Sequence, residues 1–168
     1  MSDLPREEAV SRLASLISDH RVAMLTTIDT DGAPWNRPMG LQKPGEFDGT
    51  LALFTSDGTD KVEHIGRNPK VSVAFAKPGD NEYATMTGTA RVTNDRAKIH
   101  DLWNPFLRAW WPDGPDDPEI RLIEIDVDRA EFWDSPSSIL AHAFGLAKAV
   151  LTGEAAGGDL GENAQVTL

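Results

Sequence analysis

Short apolar and β-branched runs separated by tight-turn signals dominate this chain, and they limit the folds open to it more than any other feature. The runs cover residues 21–28, 33–42, 50–55, 71–76, 83–93, 120–127 and 130–133. Asp29-Thr30-Asp31-Gly32, Pro44-Gly45, Asp48-Gly49 and Pro78-Gly79-Asp80-Asn81 punctuate the first five. Asp-Gly is a hairpin signal, and connections this short join antiparallel neighbours, because a parallel pair needs a long crossover. The chain therefore reads as mainly β (α+β), with about six to seven antiparallel strands closing into a barrel beside flanking helices. Val71, Val73 and Phe75 alternate with Ser72, Ala74 and Ala76, the period of a half-buried strand. Pro34 and Pro38 each remove a ladder donor, which assigns 33–42 to an edge or a bulged strand. Gly88 inside 83–93 marks a bulge or a close backbone approach.

Helical periodicity is confined to shorter stretches. Val10, Leu13, Leu16 and Ile17 recur at helical spacing, predicting a helix over about 4–19. Asp3 is its expected N-cap, with Pro5, Glu7 and Glu8 in the first turn. Residues 61–68 read as a short helix stopped by Pro69. Asn94 or Asp95 caps a helix to about 102, and 105–111 continue helically before a rigid, proline-rich loop over 112–118. Ser135 starts a helix to about 151, with Leu140, Phe144, Ala147 and Leu151 on one face. The glycine-rich tail, about 153–168, reads as irregular. Neither a repeat nor a linker divides the chain, so residues 1–168 read as one domain.

Composition narrows the function classes. Twenty-seven acidic against 16 basic residues give a formal charge of −11, and no basic run occurs. Polyanion binding needs clustered Lys and Arg, so nucleic acid is excluded as a partner. There are no cysteines, which removes disulfides, thiol catalysis and cysteine-based metal sites. His20, His64, His100 and His142 lack ligand spacing, and no metal site is expected. No serine sits in a nucleophile-elbow pattern. Residues 1–8 hold no apolar signal region, and no apolar run approaches the roughly 20 residues that span a bilayer. These features point to a soluble, cytoplasmic protein.

Three patterns could carry chemistry. Phe54-Thr55-Ser56-Asp57-Gly58-Thr59-Asp60-Lys61 lies between a strand end and a helix start. Hydroxyls, orphan helix N–H groups and an ammonium all suit a phosphate there. Ser and Thr also populate idle solvated turns, so the loop alone leaves both readings open. Asn36-Arg37-Pro38-Met39-Gly40-Leu41-Gln42 leaves backbone groups without ladder partners, which a planar ligand or simply a distorted edge strand would explain. Trp35, Trp103, Trp110, Trp111 and Trp133 suit a core, an interface or the wall of a flat cofactor.

Taken together these pieces resemble the flavin-binding split-barrel family related to pyridoxamine 5′-phosphate oxidase, in its general stress protein 26-like branch. The resemblance runs from about residue 20 to the C-terminus. It rests on Val22-Ala23-Met24-Leu25-Thr26-Thr27, Arg37-Pro38-Met39, the Phe54-to-Lys61 loop, Leu102-Trp103-Asn104-Pro105, Ala130-Glu131-Phe132-Trp133-Asp134 and Asp159-Leu160-Gly161-Glu162-Asn163. It implies an antiparallel split β-barrel that binds FMN. Arg37, Pro38, Met39 and Gln42 would lie along the isoalloxazine ring. Phe54, Thr55, Ser56, Thr59 and Lys61 would form the phosphate end, and Trp133 would border the flavin. Asp60 stands where the oxidases often carry Arg, which leaves Lys61 as the main charge. Tyr83 matches a polar phosphate partner. The resemblance also implies a homodimer with FMN at the subunit interface.

Departures from the oxidases bear on activity. Their Arg-Leu-His substrate segment is replaced by Ile139-Leu140-Ala141, with His142 one step late. A buried substrate phosphate without a cationic partner is costly, so efficient oxidation of pyridoxamine phosphate is not expected. The readings that remain are an FMN-dependent oxidoreductase acting on an unidentified small substrate, a non-catalytic FMN-binding stress protein, and a barrel without cofactor. A deazaflavin or haem in the same cleft is a further alternative. No catalytic residue is identified.

Overall fold

The computed structural model describes residues 5–43, 46–134 and 162–167. Helix α1 (Arg6–Ile17) leads into strands β1 (Val22–Ile28), β2 (Pro34–Gly40) and β3 (Thr50–Ser56). Helix α2 (Asp60–Arg67) precedes β4 (Lys70–Lys77) and β5 (Glu82–Thr93). Helix α3 (Arg96–Leu102) and a 3-10 helix (Pro105–Ala109) lead to β6 (Ile120–Asp134) and β7 (Glu162–Thr167).

The strands form one antiparallel sheet in the order β2-β1-β4-β5-β6-β3, with β7 on the second half of β6. The sheet curls until its two edges meet. Leu41 bridges to Leu53, and the Gln42 N–H donates to the Ala52 carbonyl at 3.2 Å. Contact then stops. The register of that bridge would set Gly40, Met39 and Pro38 opposite Phe54, Thr55 and Ser56, yet no ladder joins β2 to β3 there. Pro38 has no N–H to offer one. The result is a barrel split between β2 and β3.

Ala23, Leu25, Val73, Phe75, Met86, Ile123, Ile125 and Phe132 face inward and are buried, and Leu13 and Ile17 of α1 join them in the core. β3 is buried on both faces, which explains its unbroken apolar run. Its outer face meets a second cluster, in which Phe54 packs with Ile99, Leu107, Trp111, Ile120 and Leu122. Asp95 caps α3 by accepting from the Lys98 N–H at 3.1 Å. Buried Glu124 ties α3 to the sheet by pairing with Arg91 and with Lys98.

Four expectations need correction or restriction. Helix α1 begins behind Pro5, whose extended ψ of 143° ends helical geometry there; no side chain caps it, and Asp3 lies outside the described residues. The strands expected at 120–127 and 130–133 are one strand. Asp128 and Arg129 form a bulge and not a turn, because Gly88 pairs with Val127 while Thr87 pairs with Arg129. The tail expected to be irregular contributes β7, whose partner is the half of β6 that β3 leaves uncovered. The helix expected from Ser135 to about 151 lies outside the described residues. The glycine assigned to a bulge or close approach sits at that bulge. A Cβ on Gly88 would lie 2.2 Å from the Asp126 carbonyl oxygen.

Gly88→Ala is expected to lower stability in urea unfolding by about 2–3 kcal/mol, because the rigid backbone of β6 must move. Gly66→Ala, whose Cβ would meet nothing within 4 Å, is expected to be neutral or stabilising by up to about 1 kcal/mol.

Candidate functional site

The gap between β2 and β3 opens into a cleft of about 280 Å³. Pro38, Met39, Gly40 and Gln42 line one side, and Phe54, Thr55, Ser56, Thr59 and Lys61 the other. Leu107, Trp110 and Trp111 close it from the 3-10 helix and the turn after it. Eight of the ten residues expected from sequence therefore meet in one place. Arg37 stands beside them, and Trp133 does not line the cleft.

Local folding rules position each wall. The Ser56–Thr59 loop turns through Gly58, whose φ of +69° suits glycine. Asp57 pins the loop by accepting from the Gly58 N–H at 3.0 Å and from the Arg121 guanidinium on β6. Thr59 occupies the N-cap position of α2 but does not cap it. Its hydroxyl donates to the Ser56 carbonyl at 3.1 Å and lies 3.3 Å from the Thr55 hydroxyl. No side chain caps the helix by a hydrogen bond, and Asp60 and Glu63 in its first turn offset part of its dipole. Trp111 donates its indole N–H to the Ser56 hydroxyl at 3.1 Å and leans on Phe54 at a ring separation of 5.9 Å. Trp103 meets the same Phe54 ring edge-on at 6.0 Å. Asn104 accepts from the Phe106 N–H at 3.1 Å and donates to the Gln42 side-chain oxygen at 3.0 Å. One asparagine thus caps the 3-10 helix and holds Gln42.

The cationic end of the cleft has two members. Lys61 is held below the ordinary lysine value by burial first and by the nearby Arg37 charge second, with Asp60 acting the other way. Arg37 is lowered by burial, again opposed by Asp60. Its Nη1 donates to the Thr27 hydroxyl at 2.7 Å. Among the described residues no carboxylate forms an ion pair with either cation. Two partly desolvated cations beside three hydroxyls make an anion site.

Trp133 lies at the far end of β6, opposite Tyr83 of β5. Both belong to a row across the outer face of the sheet. Gly40 pairs with Val22, and Met24 opposite Ala74 carries Val22 level with Ala76. Ala76 pairs with Tyr83, and Tyr83 with Trp133. All five are exposed, and the row starts at the rim of the cleft, where Gly40 contributes to the lining.

Sequence reasoning did not select Thr27, His64, Asn104 or Leu107 for this site, while Gly40 lay within the segment expected along the ring. Thr27 carried a readable signal, since it is polar at the inward position of a strand that otherwise faces inward with Ala23 and Leu25. Asn104 carried one too, as an N-cap residue immediately before a proline. His20 and His100 take no part; His100 is exposed and bonds Asp116 at 2.8 Å. His142 lies outside the described residues. Among the described residues no group of His, Asp and Glu could hold a metal ion, and no helix is long and apolar enough to cross a membrane.

The fold defines an antiparallel split barrel with its cleft at the split. The sequence profile of the family described as pyridoxamine 5′-phosphate oxidase like matches residues 8–157, so the chain belongs to that family. General stress protein 26 of Bacillus subtilis is 27% identical over 126 residues, covering 73% of this chain and 86% of the relative. A crystal structure from Jannaschia sp. CCS1, assigned as a general stress protein 26, superposes with a TM-score of 0.75 at 25% identity, covering 96% and 99% of the two chains. A general stress FMN/FAD binding protein from Xanthomonas citri superposes with a TM-score of 0.68 at 32% identity, covering 80% and 94%.

The Lys61 amine is expected to lose its proton below the ordinary value of 10.5, and added phosphate is expected to raise that midpoint. NMR titration of methylated lysines reads both, and a Lys61 midpoint that ignores phosphate would reject the anion site.

Proposed function

We propose that this protein binds FMN in the β2/β3 cleft and uses it in redox chemistry on a small molecule. The observation that carries the reading is one continuous cleft with a cationic, hydroxyl-lined end and a flat aromatic wall. Thr55, Ser56, Thr59, Lys61 and Arg37 are the residues that would hold the phosphate. Pro38, Met39 and Gln42 would follow the ring edge, with Phe54 behind. Phe54 and Thr55 are buried, so the floor of the cleft is shielded from water. The flavin supplies electron transfer when bound; the chain binds it, orients it and excludes solvent from it. The flavin-binding relative from Xanthomonas citri supports the choice of cofactor.

A second reading is a non-catalytic flavin binder that stores the cofactor or senses redox state. It is favoured by the lining itself, in which Lys61 is the sole titratable side chain among the described residues. Proton transfer to a substrate has no second acid or base there. Either way we infer that pyridoxamine phosphate is a poor substrate. Residues 139–142, on which that expectation rests, lie outside the described residues. We place the protein in the cytoplasm on the same reading.

We also read the exposed row from Gly40 to Trp133 as a face covered by a second copy of the chain. Trp133 would then border the partner's flavin. An apolar row continuous with a cofactor cleft is a reason for two copies to share it.

The purified protein is expected to be yellow, or to quench FMN fluorescence on titration. A colourless protein that leaves the FMN spectrum unchanged rejects the reading. Lys61→Ala is expected to weaken FMN about 10- to 100-fold, as loss of a charged partner does. Affinity is expected to fall as pH rises through the lowered Lys61 midpoint, because one of the two charges that would face the phosphate is lost. Turnover of reduced nicotinamide with added acceptors separates the enzyme from the binder. In sedimentation the holoprotein is expected to be dimeric, and Tyr83→Glu to shift it toward monomer; a monomeric wild type rejects the dimer.

A further inference from the structure

Beneath the cationic end of the cleft, Arg37 is joined to two buried side chains that the binding reading does not use. Thr27 is fully buried on β1 and His64 is 8% exposed on α2. The Thr27 hydroxyl lies 2.7 Å from Arg37 Nη1 and 2.9 Å from His64 Nδ1. Among the described residues no other side-chain hydrogen bond joins the helix that follows the phosphate loop to β1 or β2.

The proton count gives the chain a direction. Arg37 can donate and never accept, so the Thr27 oxygen accepts from it. The single Thr27 proton then needs an acceptor, and His64 Nδ1 is the one within reach. That requires neutral His64 with its proton on Nε2. The opposite tautomer would leave a buried hydroxyl proton without an acceptor among the described residues, which is costly. The polarity therefore runs from Arg37 through Thr27 to His64, each bond reinforcing the next.

We propose that Thr27 and His64 are positioning residues that hold the Arg37 guanidinium beside Lys61, so that the anion end of the cleft works as a two-cation site. Arg37 has a long side chain with several rotamers, and ordering it costs conformational entropy. The chain meets that cost before any ligand arrives. On this proposal Lys61 shares the role of main charge with Arg37. With Asp60 where a second basic residue would help, Arg37 supplies the second cation, and the sequence provides a buried hydroxyl to keep it there. Reading the anion as the FMN phosphate rests on the function proposed above; the positioning itself does not.

The test compares wild type with Thr27→Val, Thr27→Ser, His64→Leu and His64→Asn. Valine keeps the shape of threonine without its hydroxyl, serine restores the hydroxyl, and asparagine offers an oxygen near the place of Nδ1. Each folded protein is titrated with inorganic pyrophosphate, FMN and riboflavin, which lacks the phosphate. Thr27→Val and His64→Leu are expected to weaken pyrophosphate and FMN about tenfold and riboflavin less than twofold, with Thr27→Ser and His64→Asn near wild type. Equal loss for riboflavin and FMN would show a merely structural role and overturn the proposal, as would no loss at all. Pyrophosphate binding that follows this pattern without any flavin binding would keep the positioning and reject FMN. Tight FMN binding indifferent to Thr27 would do the reverse, and a wild type that binds none of the three would reject both.

Discussion

The Leu41–Leu53 bridge governs this molecule, because it decides where two sheet edges meet and where they part. On one side of it the barrel is closed by backbone hydrogen bonds. On the other side the same register would continue the ladder, and Pro38 interrupts it. Backbone polar groups need partners, and a gap of this kind leaves them for something else. The cleft is thus the unfinished part of the sheet and not a hole cut into a finished one. Phe54 shows the same economy, since its ring walls the cleft while belonging to the second core cluster.

Electrostatics make the cleft an exception within the molecule. The chain carries a formal charge of −11, so an anion approaching at random meets repulsion over most of the surface. Arg37 and Lys61 hold two positive charges where burial disfavours both, with Asp60 as a partial counterweight. Such an arrangement costs stability in the empty protein and gives it back when an anion binds. Local charge placement, not net charge, decides what this protein attracts.

Much of the framework was legible in the sequence because it depends on local rules. Alternation in 71–76, the Asp31-Gly32 turn and the proline-marked edge strand follow from side-chain period and backbone chemistry alone. Gly88 was legible as an anomaly, although its meaning needed the register of β6. The junction at Asp128 and Arg129 was misjudged because a bulge and a turn have the same local composition, and only pairing with β5 tells them apart. β7 was missed because its strand character comes from an open partner edge and not from its own residues. At the cleft, the loop and the Arg37 segment were legible through their types and spacing. The Arg37–Thr27–His64 chain was not, since it joins three elements distant in sequence and one hydroxyl decides it. Asn104 belongs to the same class: its cap is local, but its hold on Gln42 is long-range.

The late pairing of β7 also bears on how the protein is made. A nascent chain that has reached the end of β6 holds every other strand, but residues 129–134 still present an open edge. Open edges recruit other strands, and slow, long-range pairings leave them open longest. Helix α1, from the opposite end of the sequence, contacts both β5 and β7. Early and late segments therefore secure one another, and the interval before they meet is when the chain is most exposed to aggregation. Production of this protein should be sensitive to temperature and synthesis rate for a reason unrelated to its cleft.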